Sequence, residues 1–531
     1  MSNEYLWWQR GIVYQIYSRS FMDGYGDGIG DLRGISTRLD HLQSLGVDAV
    51  WISPFYQSPM ADFGYDISDY KGIHPMFGTF EDFDHLISEA HDHSIKVILD
   101  FVPNHTSEEH PWFVEARSSR DNPKRDWYMW EDPAPDGGPP TNWLSVFGGE
   151  AWEWDEHTEQ YYYHAYLKQQ PDLNWRNPEV QKEMLDTMRF WLDRGVDGLR
   201  VDVLWQMIKD DQLRDNPINP DYDPSMSPFE AVLPVYTADL PEIHDVIAMM
   251  RGVLDEYDDR MMIGEMYLPT ERLVTYYGEN GAGVQMPHNL QLIVMPWDAR
   301  KIADTIDEYE AALPPGAWPN WVLGNHDKPR LASRVGPKQS RVAALLLLTL
   351  RGTPTLYYGD EIPMHNVEIP PDKVQDPWEK NVPGKGLGRD PSRTPMQWDD
   401  NQNAGFTSAT PWLPVPEDYK TNNVQAAGEN PESMLSLYRR LISLRRAEPA
   451  LAVGSYTSLP ATGDLIAYIR EESNRRFLVA LNLGHEPQTL DPSREDLKGR
   501  ITLGTHLDRD GEDIDGSISL RSDEGLVVEL T

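Results

Sequence analysis

Short β-branched runs alternate with amphipathic helical stripes from the N-terminus to about residue 350, and nothing else in the chain limits its fold as strongly. Residues 47–52, 97–102, 198–203 and 261–265, then 321–323 and 355–358, read as buried parallel strands. Between them Leu32, Ile35, Leu39, Leu42 and Leu45 step at three and four residues, and Ile243, Val246, Ile247, Met250 and Val253 form a second stripe. Asn177 followed by Pro178 reads as an N-cap and first-turn pair, opening a helix through Val180, Met184, Met188 and Trp191. Repeated strand–helix units make a parallel sheet. About eight of them over ~400 residues predict a closed (β/α)8 TIM barrel rather than an open doubly wound sheet.

Two stretches interrupt the alternation. Residues 104–170 follow the third strand, are rich in Trp, Tyr, Pro and Gly, and show no clear helical period, which predicts an inserted subdomain. Residues 360–415 follow the eighth strand and are rich in Pro, Gly and Asp. Both leave the C-terminal edge of the sheet, where a barrel's active site lies. From about 455 onward, residues 465–469, 477–482, 500–503, 517–520 and 526–530 are short alternating segments separated by turns, which predicts a small antiparallel β-sandwich. The expected division is a barrel of 1–103 and 171–454, an insertion of 104–170, and a C-terminal domain of 455–531.

The 531 residues carry 47 Lys+Arg against 86 Asp+Glu, a formal charge of −39, and no cysteine. Without cysteine there is no disulfide framework, thiolate nucleophile or cysteine-based zinc site. The negative field argues against nucleic acid or an anionic membrane as partner, suits a neutral substrate, and is compatible with a high-salt cytoplasm. The opening MSNEYLWWQR lacks the basic flank and apolar core of a secretion signal. The longest apolar run, 342–348, is far short of the ~20 residues that span a membrane. A cytoplasmic monomer or homodimer is expected, with no membrane or nucleic-acid partner.

Three acids stand at predicted strand ends. Asp202 closes GLRVD, Glu265 closes MMIGE and Asp327 closes WVLGNHD. A single such acid reads as an N-cap or an ion-pair partner. Three together, with Arg200 two residues before the first and His326 just before the third, point to one rim of a barrel. Facing carboxyls suit acetal chemistry: one attacks or stabilises an oxocarbenium-like centre while the other protonates the leaving oxygen. The pair must hold different protonation states, and Arg200 is expected to lower the pKa of Asp202 and keep it ionised.

With DFVPNH (100–105), GLRVD (198–202), the Glu265 strand and NHD (325–327) in this order, the sequence resembles the α-amylase clan of glycoside hydrolases (family 13), within it the oligo-1,6-glucosidase/α-glucosidase group. QPDLN (170–174), GYDISDY (64–70) and RDPSRTPMQWD (389–399) extend the resemblance over essentially the whole chain. It implies that Asp202 is the nucleophile, Glu265 the general acid/base and Asp327 the third carboxylate, which binds sugar hydroxyls. It further implies that His105 and His326 bond hydroxyls of the reacting glucose and that Arg200 orients Asp202. Asp62 and Arg389 would close the pocket at the non-reducing end, with Tyr65 as a stacking platform. Arg393 is either a second pocket residue or a structural ion-pair partner.

Residues 23–31, DGYGDGIGD, place Asp23, Asp27 and Asp31 at positions 1, 5 and 9 of an EF-hand-like loop, with Gly28 at the tight turn and the Ile29 carbonyl at position 7. Gly34 stands where a bidentate Glu belongs, and Tyr25 offers only its carbonyl. The bland alternative is an Asp-rich turn. Resembling enzymes hold a structural Ca2+ (or Mg2+) in such a loop, which makes Asp23, Tyr25, Asp27, Ile29 and Asp31 candidate ligands. No catalytic metal and no organic cofactor are expected.

The resemblance implies a retaining, exo-acting α-glucosidase that removes glucose from short α-1,6 or α-1,4 oligosaccharides, or from alkyl and aryl α-glucosides, with transglucosylation as a side reaction. Val203 after the nucleophile leans toward α-1,6 in resembling enzymes, and the acidic, Pro-rich segment 210–241 is expected to cover the acceptor side. The alternative is a glucosyltransferase or isomerase acting on sucrose, maltose or trehalose. Sucrose isomerases carry an Arg/Asp-rich RLDRD signature after the third carboxylate, whereas HDKPRLASR stands here. A non-catalytic relative would have lost the acids, and all three are present.

Overall fold

The computed structural model describes residues 5–491 and 497–531, so the first four residues of the opening stretch and 492–496 of the last domain lie outside it. Eight parallel strands close into a barrel: β1 (Val13–Ile16), β2 (Ala49–Ile52), β3 (Lys96–Phe101), β4 (Gly198–Val201), β5 (Met261–Met266), β6 (Met286–Asn289), β7 (Asn320–Val322) and β8 (Thr353–Tyr357). Each strand pairs with its neighbours in sequence, and β8 returns to β1. This is the (β/α)8 barrel that the alternation predicts. Two of its strands, β1 and β6, were not read from the sequence, and β6 carries no apolar run. In β6 all four residues are buried, yet three of them are Pro287, His288 and Asn289. The polar content reflects the barrel interior, which β6 lines just below the site.

The helices follow the stripes. Residues Pro178–Asp193 form a helix whose Asn177 side chain accepts from the Glu179 N–H, with Pro178 in the first turn where its missing donor is harmless. The helix Ile243–Leu254 buries all five residues of its stripe. The run 342–348 lies in the buried face of Leu331–Thr349, and no helix among the described residues is long and apolar enough to cross a membrane.

After β3 the chain leaves the barrel, forms a helix at Pro111–Ser118, and builds a three-stranded antiparallel sheet from Trp130–Glu131, Gln160–Tyr163 and Trp152–Asp155. The helix was not expected; its cue is Pro111 after His110, whose ring accepts from the Trp112 N–H. Bridges from His105 to Asp172 and from Tyr128 to Leu173 fasten the insertion at its base. At the C-terminus a six-stranded antiparallel sheet carries a second, two-stranded ribbon. Its alternation separates two faces. Ile466, Tyr468, Val479 and Leu481 join the barrel's core, while Leu465, Ala467, Leu478 and Ala480 pack with Leu490 and Ile518 of the ribbon.

Candidate active site

One guanidinium organises the rim. Arg200, buried inside the barrel, donates through Nη1 to Asp202 Oδ1 at 2.6 Å and to Asp100 Oδ1 at 2.8 Å. Its Nη2 lies 2.8 Å from Glu265 Oε2. β4 ends before Asp202 because Val203 turns into the left-handed region, φ 39° and ψ 41°. That turn aims the Val203 N–H at Glu265 Oε2, 3.0 Å away. Asp327 follows β7 and meets Arg393 Nη2 at 2.8 Å and Arg389 Nη1 at 3.5 Å. Asp202, Glu265 and Asp327 all line one cavity of about 420 Å3, inside the roughly 300–1,000 Å3 range of small-molecule sites.

The remaining expected residues converge on the same cavity. Asp62, Tyr65, His105, His326 and Arg389 line it. Arg389 reaches Asp62 Oδ1 at 2.6 Å and Asp376 Oδ1 at 2.6 Å, so it closes one end as a buried three-acid clamp with Asp327. Tyr65 stacks on His326, ring centroids 5.5 Å apart and 6° from parallel. Its hydroxyl lies 2.7 Å from His326 Nε2 and donates to Asp100 Oδ2 at 3.0 Å. Gln15 Nε2 lies 2.7 Å from His326 Nδ1. His105 Nε2 lies 3.1 Å from the Tyr65 carbonyl. Arg393 is fully buried and does not line the cavity; it bonds the His326 carbonyl at 2.8 Å and steadies Asp327 from behind.

Sequence reading missed Asp100, although it stands in DFVPNH. It accepts from Arg200, Tyr65 and Trp51 and is the acid that joins the guanidinium to the His326 side of the site. Also missed were Tyr166 and Gln206, whose side chains bond at 2.6 Å across the cavity wall, and Trp378, Tyr267 and Lys328 on its rim. Lys209, buried and ion-paired with Asp172, bonds Asn104 Oδ1 at 2.7 Å and so ties the QPDLN and DFVPNH segments together.

Three carboxyls share one guanidinium. Burial pushes Asp100, Asp202 and Glu265 upward, Arg200 opposes it in each, and the acids repel one another. The expectation that Arg200 holds Asp202 below the ordinary range is therefore corrected: its charge acts in that direction, but burial outweighs it. A cluster with three acids and one cation retains a proton more readily than a solvated acid, which suits a pair in which one member must donate. Asp327 differs. Burial raises it too, but the Arg393 and Arg389 charges beside it outweigh that and hold it below the usual carboxylate range. Burial keeps His326 well below the ordinary imidazole value and puts His105 at about 4, so both rings are neutral near pH 7.

The 23–31 loop closes on its own hydrogen bonds. Asp23 accepts from the Gly26 and Gly28 N–H groups and from Thr407, Asp31 from Gly24, Tyr25 and Gly34, and Asp27 from Ile29. The Tyr25 hydroxyl donates to Asp82. No group of three or more His, Cys, Asp or Glu side chains among the described residues gathers as a metal site. Each carboxylate keeps acceptor capacity beyond these bonds, and Asp27 accepts only the one from Ile29.

The alpha amylase catalytic-domain profile matches residues 15–454. The chain is 41% identical over 523 residues to a probable alpha-glucosidase of Rhizobium meliloti (strain 1021), covering 95% of each chain. It is 39% identical over 567 residues to an oligo-1,6-glucosidase of Parageobacillus thermoglucosidasius, covering 99% of each. Among solved structures, the alpha-glucosyl transfer enzyme XgtA superposes with a TM-score of 0.93 at 38% identity, covering 99% of this chain and 100% of that one. The trehalulose synthase MutB from Pseudomonas mesoacidophila MX-45 superposes with a TM-score of 0.92 at 34% identity, covering 99% of each.

Proposed function

The chain belongs to the alpha-amylase family, and from that premise we propose that it is a retaining, exo-acting α-glucosidase of short α-glucosides. The observation that carries the reading is the shared fork of Arg200, with Asp202 and Glu265 on its two terminal nitrogens. Oxygens bonded to one planar guanidinium fit the ~5–5.5 Å carboxyl spacing of retaining enzymes, not the ~6.5–9.5 Å that admits a water in inverting ones.

In this reading the glucosyl ring enters the cavity with its non-reducing end toward the Asp62–Arg389 pair. Asp202 attacks the anomeric carbon as Glu265 protonates the leaving oxygen, giving a β-glucosyl-enzyme. Glu265, now ionised, takes a proton from water, which releases glucose with retained configuration. Asp327, held ionised by two arginines, accepts sugar hydroxyls. The neutral rings of His105 and His326 each carry one N–H, which faces the Tyr65 carbonyl and the Tyr65 hydroxyl respectively and would pass to a sugar hydroxyl on binding. The pair of Asp62 and Arg389 blocks extension of the sugar, which supports exo action. Phe229 and Glu230, from the 210–241 segment, line the cavity with Trp205 and Gln206 and would meet the acceptor. That cover supports short substrates, and Val203 on the same wall supports a lean toward α-1,6 linkages.

A second reading keeps the same glucosyl-enzyme but passes it to another sugar. It is favoured by the likeness to a glucosyl transfer enzyme and a trehalulose synthase. Products from maltose, isomaltose, sucrose and trehalose separate the two. Free glucose as the main product supports hydrolysis; an isomeric disaccharide from sucrose, or an elongated glucoside, supports transfer.

A further inference from the structure

Directly below the acids, the barrel interior holds a polar layer that joins Arg200 to residues the proposed chemistry does not use, His288 and Asn320 among them. Register places its members side by side. Arg200 pairs with Asp100 across β4 and β3. Glu265 pairs with His288 across β5 and β6. The pairing of Asn289 with Trp321 sets His288 beside Asn320 one step earlier. Asn320 Nδ2 donates to Thr355 Oγ1 at 3.1 Å on β8, where Thr355 pairs with Val13 of β1 and Gln15 lies two residues further along, opposite Tyr357. The Trp51 indole joins two of these positions to the rim: the Arg200 guanidinium lies 4.7 Å from its ring, His288 meets it edge-on at 5.8 Å, and His326 of the rim does so at 6.0 Å.

This layer contains five polar atoms with no hydrogen-bond partner among the described residues: Arg200 Nε, both ring nitrogens of His288, Gln15 Oε1 and Asn320 Oδ1. All four residues are at most 1% exposed. Buried polar groups in folded proteins are nearly always satisfied, by water when no protein group is in reach. The inventory also matches. Arg200 Nε only donates, the two amide oxygens only accept, and a neutral imidazole does one of each. Burial holds His288 at about 3, so it is neutral near pH 7.

We propose that His288 is a positioning residue: it holds ordered water against Arg200 Nε, and that water completes the hydrogen bonding of the guanidinium that joins Asp202 to Glu265. The inference rests on the reading of those two acids as the reacting pair. The fork can bridge them only in one orientation, since Nη1 and Nη2 are both engaged on the rim. Nε is the one guanidinium nitrogen without a partner among the described residues, and fixing it from below removes the rotation that would release one acid.

The test has two arms. A high-resolution crystal structure of the wild-type protein is expected to show a water within about 3.2 Å of both Arg200 Nε and a His288 nitrogen. Arg200 Nε without water contact overturns the proposal. In the second arm, 4-nitrophenyl α-glucoside hydrolysis is compared for His288→Phe, which keeps the ring volume but no nitrogen, and His288→Asn, which keeps polar atoms. His288→Phe is expected to lose at least ~10-fold in kcat with KM within ~3-fold, and His288→Asn to stay within ~3-fold of wild type. Wild-type kcat in His288→Phe, or equal losses in both variants, overturns it. If His288→Phe does not fold, the crystal structure and His288→Asn decide. A wild-type protein inactive on every α-glucoside would sink the proposed function instead, and the water arm would still report on the layer.

Discussion

The backbone N–H of Val203 donates to the Glu265 carboxyl at 3.0 Å from a left-handed conformation that a β-branched residue seldom adopts. Such a position costs on the order of 1–3 kcal/mol and persists only where its surroundings impose it. Here the Asp202 N–H bonds the Phe101 carbonyl before the turn, and the Gln206 N–H bonds the Val203 carbonyl after it. The strain sits between the two acids of the proposed reaction and holds one of them in place.

Val203→Pro removes that N–H and sets φ near −65°. Turnover of 4-nitrophenyl α-glucoside is expected to fall by about 100-fold or more, close to the effect of losing an oriented acid. Val203→Thr keeps the N–H and changes only the cavity wall. Its kcat is expected to persist while the isomaltose-to-maltose ratio of kcat/KM drops severalfold.

Glu265→Gln is expected to impair natural disaccharides about 100-fold more than 4-nitrophenyl α-glucoside, because nitrophenolate leaves without a proton. Equal losses on both substrates would remove Glu265 from the acid role.

His110 gives a stability prediction whose sign is fixed by its cap. Its Nδ1 accepts from the Trp112 N–H at 3.1 Å, and burial lowers the ring to about 3. The folded pKa lies below the unfolded value near 6.5, so the contribution is present above ~6.5 and is lost as pH falls toward 3. His110→Asn keeps a capping oxygen that does not titrate. Between pH 6 and 4 its urea-unfolding free energy is expected to fall less steeply than wild type, by about 1.4 kcal/mol per pH unit. Parallel slopes would contradict the assignment.

EDTA tests the 23–31 loop: a melting temperature within about 1 °C of the untreated protein would leave it an Asp-rich turn closed by its own hydrogen bonds. A fall of several degrees, reversed by Ca2+ or Mg2+, would show that the loop closes on a cation.

Much of this arrangement was legible in the residues. The barrel followed from strands that are apolar on both faces, and Asp202, Glu265 and Asp327 stood where those runs ended. The remainder was hidden for physical reasons. β6 shows no apolar run because His288 faces a polar interior. Asp100 sits inside an apolar strand and reads as part of it, and only the fold brings it to Arg200, one hundred residues away. The upward shift of Asp202 depends on burial, which one neighbouring arginine in the sequence cannot reveal. In the Asp-rich loop the spacing suggested ligands, and only the fold shows the backbone N–H groups that donate to the same carboxylates.

The central claim is that Asp202 forms a covalent bond to the sugar while Glu265 serves the leaving group. Incubation with a 5-fluoro-α-glucosyl fluoride, followed by peptide mass spectrometry, tests it most directly. The account predicts a single fluoroglucosyl adduct on the peptide containing Asp202, absent from Asp202→Ala. An adduct on Glu265 or Asp327, or turnover of the reagent by Asp202→Ala at the wild-type rate, would contradict it.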